Sequence, residues 1–187
     1  MNKIIIISAP SGSGKSTLIG KLMQDETLGL EFSISATTRA PRGREVDGKD
    51  YYFLSVEDFK SRIAADGFIE YEQVYEGRYY GTLKSEISRI FGNGHNVIFD
   101  VDVEGGINLK KIFGDQALSI FIQPPSVAEL RKRLIGRATD SMEEIEKRLA
   151  KAGQEISRAR NFDTIVINDD LERASAEFHE KVTNFLN

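Results

Sequence analysis

The stretch from residue 4 to residue 17 constrains the fold more than any other part of the chain. Four consecutive isoleucines, at residues 4–7, predict a strand that is buried on both faces, as in a parallel sheet. A short loop with Gly12 and Gly14 follows, and Lys15 then opens a segment with helical spacing of apolar residues. This order of strand, loop and helix predicts an α/β fold built around a parallel sheet.

The loop matches the phosphate-binding pattern G-x-x-x-x-G-K-[ST], except that Ala9 stands at the position of its first glycine. In such loops the backbone N–H groups and the helix N-terminus converge on phosphate oxygens. Lys15 adds positive charge near the β- and γ-phosphates, and the Ser16 hydroxyl suits Mg²⁺. The alternative is a Gly-rich turn without a ligand, which the flanking strand and helix disfavour. The predicted ATP-binding residues here are Ala9, Pro10, Ser11, Gly12, Ser13, Gly14, Lys15, Ser16 and Thr17.

The composition excludes several classes of protein. With 187 residues and a net charge of −4, the chain suits one α/β domain and is unlike a general nucleic-acid binder. It contains no cysteine, which excludes a disulfide framework and thiol chemistry. The apolar run near the N-terminus is too short for a signal peptide or a membrane span. We expect a cytoplasmic chain that binds small molecules and neither nucleic acid nor membranes, with a homo-oligomer left open.

A small β-rich insertion is predicted between two α/β units of the sheet. It carries Arg39 and Arg42 in a loop, and tyrosines at Tyr51 and Tyr80. Guanidinium groups bind phosphate through paired N–H donors, and tyrosine hydroxyls supply further donors. The insertion therefore predicts a second phosphate site. Its short strands are predicted at residues 32–35, 49–54, 68–72 and 78–81.

The apolar segment at residues 96–102 predicts a core strand that ends in two carboxylates, Asp100 and Asp102. A hydrophobic strand tipped by aspartate, in a chain with a phosphate loop, is the expected source of a carboxylate that orders Mg²⁺. Strand periodicity would direct both side chains to the same side. The alternative is that both aspartates cap the helix that follows.

A pair of Arg-rich helices is predicted at residues 126–160, joined by a polar, Gly-containing connection that suits a lid. Ser126 with Glu129 and Ser141 with Glu144 form the pattern of N-terminal capping boxes. The alternative for any one arginine is an ordinary solvated surface position. Considered together in a chain with a phosphate loop, three arginines favour phosphate contact, namely Arg133, Arg137 and Arg148.

A phosphate loop, a carboxylate for Mg²⁺ and an Arg-bearing lid form a set suited to phosphoryl transfer, in which the protein positions groups and neutralises charge. The second phosphate site indicates a nucleoside monophosphate as the acceptor. The predicted architecture is a P-loop nucleoside-triphosphate hydrolase-type three-layer fold with a central parallel sheet. We predict one domain with a core at 1–35, 83–125 and 161–187, an acceptor-binding region at 36–82 and a helical lid at 126–160.

Seven segments together resemble guanylate kinase, and they extend over nearly the whole chain. The segment at 35–51, SATTRAPRGREVDGKDY, is the most specific of them. The others are residues 8–17, 68–70, 79–82, 100–105, 124–126 and 167–170.

The resemblance implies roles for the matching residues. The GMP phosphate would be held by Arg39, Arg42, Tyr51 and Tyr80, and guanine would be recognised by Ser35, Glu70, Thr82 and Asp102. Asp100 would lie near the phosphates and Mg²⁺, with water between it and the ion, whereas Ser16 would bind the ion directly. The arginines that close on the transferred group would be Arg133, Arg137 and Arg148, and Asn168 would contact ATP on the adenine side.

Guanine chemistry supports the implied acceptor. Guanine presents N1–H and an exocyclic amino group as adjacent donors, and a carboxylate such as that of Glu70 can accept from both. Adenine has an unprotonated N1 there, so a site of this kind can reject it by about 10⁴ or more. Two alternatives remain open: a guanylate-kinase-like binding module without catalysis, and a kinase for another nucleoside monophosphate.

Overall fold

The computed structural model describes residues 2–136 and 141–187, which form seven helices and nine strands. The helices are α1 (Lys15–Leu22), α2 (Val56–Ala64), α3 (Lys84–Gly92), α4 (Val103–Phe113), α5 (Val127–Gly136), α6 (Met142–Ser157) and α7 (Leu171–Leu186). The strands are β1 (Ile4–Ser8), β2 (Leu30–Phe32), β3 (Ala36–Thr37), β4 (Tyr52–Phe53), β5 (Phe68–Tyr75), β6 (Arg78–Leu83), β7 (Asn96–Asp100), β8 (Ala117–Gln123) and β9 (Thr164–Ile167).

The chain folds into two compact units. The first, which we call the core unit, contains Lys3–Leu30 and Ile98–Asn187, and the second, the inserted unit, contains Glu31–Val97 together with Asn2. None of the helices within the described residues is long and apolar enough to span a membrane.

The core unit is built on a five-stranded sheet with the order β2-β7-β1-β8-β9. β1 runs parallel to β8, with Ile4 opposite Ala117, and β8 runs parallel to β9, with Ile120 opposite Thr164. Because a parallel sheet is covered on both faces, its central strands are mostly apolar, and the residues of β1 are all buried. The predicted α/β class and central parallel sheet are confirmed.

The two faces of β1 contact different helices. Ile5 and Ile7 belong to a buried cluster with residues of α1 and α7, including Leu18 and Phe178. Ile6 points to the other side, towards Gly106 of α4, where an added Cβ would lie in van der Waals contact with the Ile6 side chain, at 3.6 Å. This alternation places helices on both faces of the sheet and leaves the loop after β1 at the carboxyl edge of the strands.

The inserted unit has a four-stranded sheet with the order β4-β3-β6-β5. One face is apolar and packs against α2, whose Phe59 stacks on Phe68 with ring centroids 4.3 Å apart. A register shift between Phe68 and Glu70 lets Phe68 pair with Leu83 while Glu70 pairs with Thr82. Because of this shift, the Phe68 side chain points into the apolar cluster, whereas Glu70 lies on the opposite face of the sheet with Thr82.

Three strand predictions need correction. Residues 33–35 are not a strand, because the Ile34 N–H donates to the Glu86 carboxylate at 3.0 Å instead of to a neighbouring strand. The predicted strand at 49–54 shortens to Tyr52–Phe53, since the preceding residues form a loop. The predicted strand at 96–102 ends at Asp100, so strand periodicity does not apply to Asp102.

Candidate active site

The loop between β1 and α1 adopts a conformation that depends on its glycines. Gly12 and Gly14 have φ values of 90° and 84°, which lie in the left-handed region that favours glycine. Between them the Ser13 hydroxyl donates to the Pro10 carbonyl at 2.7 Å, and the Ser13 N–H donates to the same oxygen at 3.2 Å. The loop is therefore a defined turn that leads into the N-terminus of α1 at Lys15.

The side chain of Asn168 supports this turn from behind. It is 5% exposed, and its Nδ2 donates to the Ser13 carbonyl at 2.7 Å. A Cβ added to Gly14 would lie 2.3 Å from that nitrogen, so no larger residue fits there. Arg133 of α5 donates in turn to the Asn168 carbonyl at 2.9 Å. These contacts hold Asn168 against the phosphate loop, and its predicted contact with ATP stays a prediction.

A cleft of about 450 Å³ opens at the phosphate loop within the core unit. In this cleft Lys15 forms an ion pair with the Oδ1 atom of Asp100, which ends β7. Both side chains remain partly exposed, so they can meet a ligand in the cleft. The lining residues are Ala9, Pro10, Ser11, Gly12, Ser13, Gly14, Lys15, Ser16, Thr17, Asp100, Val101, Asp102, Arg148, Lys151 and Glu155.

Helix α6 contributes one side of the cleft. Its Arg148 donates to the Ser11 hydroxyl at 2.9 Å, which brings a predicted lid arginine to the phosphate loop. Lys151 and Glu155 lie on the same side of α6, and the sequence analysis assigned no role to either. Burial raises the pKa of Glu155, and the nearby carboxylate of Asp102 adds to the effect, although Lys151 opposes it. Helical spacing was the signal that would have identified both, since Lys151 follows Arg148 by three residues and Glu155 follows Lys151 by four.

The remaining predicted residues of the core unit differ in position. Asp102 is the N-cap of α4, where its Oδ1 atom accepts from the Gly105 N–H at 2.8 Å, so the capping alternative holds for Asp102 but not for Asp100, which ends β7. It also lines the cleft, so capping and ligand contact are compatible. Arg133 contacts Asn168 behind the loop and is not among the lining residues. Arg137 lies outside the described residues.

Two predicted guanine-binding residues meet in the inserted unit. Glu70 of β5 and Thr82 of β6 are paired across the antiparallel strands. The Thr82 hydroxyl donates to Glu70 Oε1 at 2.8 Å, and Thr82 is only 1% exposed. Gly81 lies against the Glu70 carbonyl, where a Cβ would be 2.7 Å away. Ser35, the third predicted residue of this unit, immediately precedes β3, and its carbonyl accepts from the Tyr52 N–H at 2.9 Å.

The predicted phosphate-binding residues of the inserted unit lie in and beside the loop between β3 and β4. The Arg39 guanidinium stacks over the Tyr51 ring, 4.8 Å from its centroid. The Tyr51 and Tyr80 rings meet edge to face, with their centroids 6.3 Å apart. The structure therefore brings together Arg39, Tyr51 and Tyr80. Arg42 is exposed in the same loop.

Acidic residues that the sequence analysis did not use order this loop. Asp47 accepts from the Phe53 N–H at 2.8 Å, and Asp50 accepts from the Val46 N–H at 2.7 Å. Glu45 accepts two bonds from Arg39 and one from the Arg42 N–H. The signal was present in the sequence, because carboxylates interspersed with arginine and glycine commonly satisfy backbone N–H groups in turns.

Comparisons with known proteins agree with this arrangement. The sequence matches the family model described as guanylate kinase over residues 1–184. The chain belongs to the guanylate kinase family.

Individual guanylate kinases match the chain over nearly its full length. One from Porphyromonas gingivalis is 56% identical over 186 residues, which cover 100% of this chain and 99% of that protein. Another, from Chlorobaculum tepidum, is 48% identical over 184 residues, which cover 98% and 93% respectively.

The fold also matches a solved guanylate kinase. The crystal structure of the enzyme from Anaplasma phagocytophilum superposes with a TM-score of 0.72 at 29% sequence identity. The match covers 98% of this chain and 85% of that one. The resemblance drawn from the seven sequence segments is thus confirmed at the level of guanylate kinase family and fold.

Proposed function

We propose that the chain is a nucleoside monophosphate kinase that transfers the γ-phosphoryl group of ATP reversibly to GMP and dGMP. One observation carries this proposal: the phosphate loop is intact, with Lys15 paired to Asp100, in a chain that matches the guanylate kinase family from residue 1 to residue 184. ATP is the donor, GMP is the acceptor, and ADP and GDP are the products.

The donor half of the reaction belongs to the core unit. The loop N–H groups and the N-terminus of α1 bind the phosphates of ATP, because both present positive partial charge. Lys15 leaves Asp100 for a phosphate oxygen, and Arg148, already at Ser11, neutralises the charge of the transferred group. We assign Arg133 and Arg137, like Arg148, to the lid that closes on the transferred group. We assign Asn168 to a contact with ATP on its adenine side.

The residues at the loop also fit a magnesium ion. Among the described residues, no cluster of three or more His, Cys, Asp or Glu side chains could hold a metal alone. Mg²⁺ in kinases instead takes one or two protein oxygens together with substrate phosphates and water. The Ser16 hydroxyl and the Asp100 carboxylate, both lining the cleft, supply such oxygens. When bound, the ion would neutralise charge on the phosphates of ATP.

The acceptor half belongs to the inserted unit. We assign the GMP phosphate to Arg39, Arg42, Tyr51 and Tyr80, whose guanidinium and hydroxyl groups are donors suited to a dianion. Guanine recognition is assigned to Glu70, whose carboxylate can accept from N1–H and the amino group. Ser35 and Thr82 of the same unit complete this part of the assignment, and Asp102 of the core unit is assigned to guanine recognition as well.

The transfer itself needs no covalent intermediate with the protein. An oxygen of the GMP phosphate forms a bond to the γ-phosphorus while the bond from that phosphorus to the ADP oxygen breaks. The protein acts by orientation and charge neutralisation. Both histidines are occupied elsewhere, His95 with Glu31 and His179 with Asp25, and we assign neither a part in the reaction.

A coupled assay of ADP release tests the proposal. MgATP is offered with GMP, dGMP, AMP, UMP and dTMP in turn. We expect fast turnover with GMP, slower turnover with dGMP and negligible turnover with the others. Preference for another monophosphate would identify a different nucleotide kinase, and GMP binding without turnover would identify a binding module. The cytoplasmic location and any homo-oligomer stay predictions.

A further inference from the structure

Glu45 occupies the centre of the Arg-rich loop of the inserted unit. Its Oε2 atom accepts from Arg39 Nη1 at 2.6 Å and its Oε1 atom from Arg39 Nη2 at 2.7 Å. The same Oε2 atom also accepts from the Arg42 N–H at 2.8 Å. One carboxylate therefore joins the side chain of one proposed phosphate-binding arginine to the backbone of the other.

The Arg39 guanidinium is held on several sides. Its Nη1 atom also donates to the Ala40 carbonyl at 3.0 Å, and its plane lies over the rings of Tyr51 and Phe53 at 4.8 and 5.6 Å. The Arg39 side chain is only 6% exposed, and that of Glu45 is 25% exposed. A flexible arginine at the surface would lose more rotamer freedom on binding a ligand than one already held in place.

The charges of this pair reinforce the geometry. The hydrogen bonds from Arg39 lower the pKa of Glu45 to about 2, with a further contribution from the Arg42 N–H. The bonds to Glu45 raise the pKa of Arg39 above its usual range. Both groups are therefore charged at neutral pH, and the carboxylate offsets the repulsion among the arginines of the loop.

We propose that Glu45 is a positioning residue for the acceptor phosphate, because it fixes the Arg39 side chain and the Arg42 backbone in the arrangement that receives the phosphate of GMP. This inference rests on the proposed function. It assigns Glu45 a role that is exerted through Arg39 and Arg42.

The donor geometry of arginine explains how the pairing leaves room for a ligand. A guanidinium has five N–H donors arranged along more than one edge. Glu45 takes the edge formed by Nη1 and Nη2 and does not use the edge formed by Nη2 and Nε. The guanidinium also has a hydrogen bond with Tyr80, another residue proposed to bind the phosphate. A phosphate can bind that second edge in the side-on, bidentate manner while Glu45 stays in place.

The test combines steady-state kinetics with binding measurements on the full chain. Glu45→Gln keeps the shape but brings an amide NH₂ group against the Arg39 donors. We expect it to raise KM for GMP by about 10- to 100-fold, with KM for ATP unchanged. Calorimetry with GMP and with guanosine should show weaker binding of GMP only, since guanosine lacks the phosphate.

Two further variants guard against a loss of folding. Glu45→Asp keeps the charge on a shorter side chain and should recover part of the GMP affinity. Glu76→Gln makes the same change of charge at an exposed hairpin residue of the same unit and should behave as wild type. Thermal unfolding of each variant shows whether it is folded. If Glu45→Gln is not folded, the KM of Glu45→Asp for GMP decides the test.

The outcomes separate this inference from the proposed function. Absence of GMP turnover by the wild-type chain would overturn the proposed function. Normal wild-type turnover with an unchanged or lower KM for GMP in the Glu45 variants would overturn the positioning role alone, and a lower KM would identify Glu45 as a competitor of the phosphate. Equal weakening of GMP and guanosine binding would also overturn it, because the damage would then not be specific to the phosphate.

Discussion

The Thr82 hydroxyl donates a hydrogen bond to the Glu70 carboxylate across a single pair of antiparallel strands, at 2.8 Å. A hydroxyl has one proton to donate, so within this structure Thr82 orients Glu70 and offers only its lone pairs to another group. Its influence on guanine recognition is therefore exerted largely through Glu70. This refines the role that the sequence resemblance implied for Thr82.

Thr82→Val tests whether GMP recognition depends on the hydrogen bond that orients Glu70 or only on the volume of the side chain at residue 82. Valine fills nearly the same space but cannot donate to Glu70, and a hydrogen bond to a charged group is worth about 1.5–3 kcal/mol. We expect KM for GMP to rise by about tenfold or more, and the preference for GMP over AMP to fall. Thr82→Ser retains the hydroxyl and should remain close to wild type. Unchanged selectivity in Thr82→Val would show that Glu70 does not need this bond.

Lys15→Ala should reduce turnover while the fold persists. It removes a positive charge from the phosphate cleft and leaves Asp100 there without its ion-pair partner, so the cleft repels a polyphosphate. We expect kcat to fall by about 10²- to 10³-fold, as for loss of one preorganised donor. Lys181→Ala, which removes a half-buried lysine of α7 that pairs with Glu177, is the matched control. Near-normal turnover of Lys15→Ala, with circular dichroism unchanged, would remove Lys15 from the mechanism.

Gly14→Ala should destabilise the phosphate loop. A residue with a Cβ is strained at a φ of 84°, at a cost of about 1–3 kcal/mol, and this Cβ would collide with the Asn168 amide. We expect a lower midpoint in chemical denaturation and weaker ATP binding. Gly20→Ala is the control, because this helical glycine has nothing within 4 Å of an added Cβ. That substitution should stabilise α1 by about 0.5–1 kcal/mol; equal stability of the two variants would contradict the argument.

Asp163→Asn should lower stability at neutral pH but not in acid. Asp163 accepts from the Ser119 N–H and hydroxyl, each at 2.8 Å, and pairs with Lys110 at 2.9 Å. Burial alone raises the pKa of Asp163, but the bonds from Ser119 and Lys110 outweigh it and lower the pKa below its usual value. The folded state thus favours the ionised carboxylate. Its contribution is present above the unfolded pKa and is lost as pH falls through the lower, folded pKa.

Urea denaturation measured across the acidic range checks this sign. The midpoint of wild type should exceed that of Asp163→Asn at neutral pH, and the two should converge once Asp163 is protonated. Glu76→Gln, at an exposed turn, should show no such convergence. A difference between wild type and Asp163→Asn that does not change with pH would indicate that shape rather than charge matters at this position.

Much of the core unit could be predicted because its signals are local. A short run of β-branched isoleucines favours a strand covered on both faces, and the phosphate loop is specified by residues adjacent in sequence. The strand predicted at 32–35 failed after Phe32 because Ile34 donates to Glu86, which is 52 residues away. The strand at 96–102 was too long because Asp102 caps α4 rather than continuing β7.

The sequence by itself determined the fold class, the phosphate loop and the guanylate kinase resemblance, since each depends on residue types at short, regular spacing. Only the tertiary structure decided which polar groups pair with one another: Asn168 with the phosphate loop, Thr82 with Glu70, and Glu45 with Arg39. The physical reason is that a buried donor or acceptor must find a partner in space, and that partner depends on strand register and loop closure. Glu45 lies only six residues from Arg39, yet its pairing with that side chain depends on how the loop between them closes.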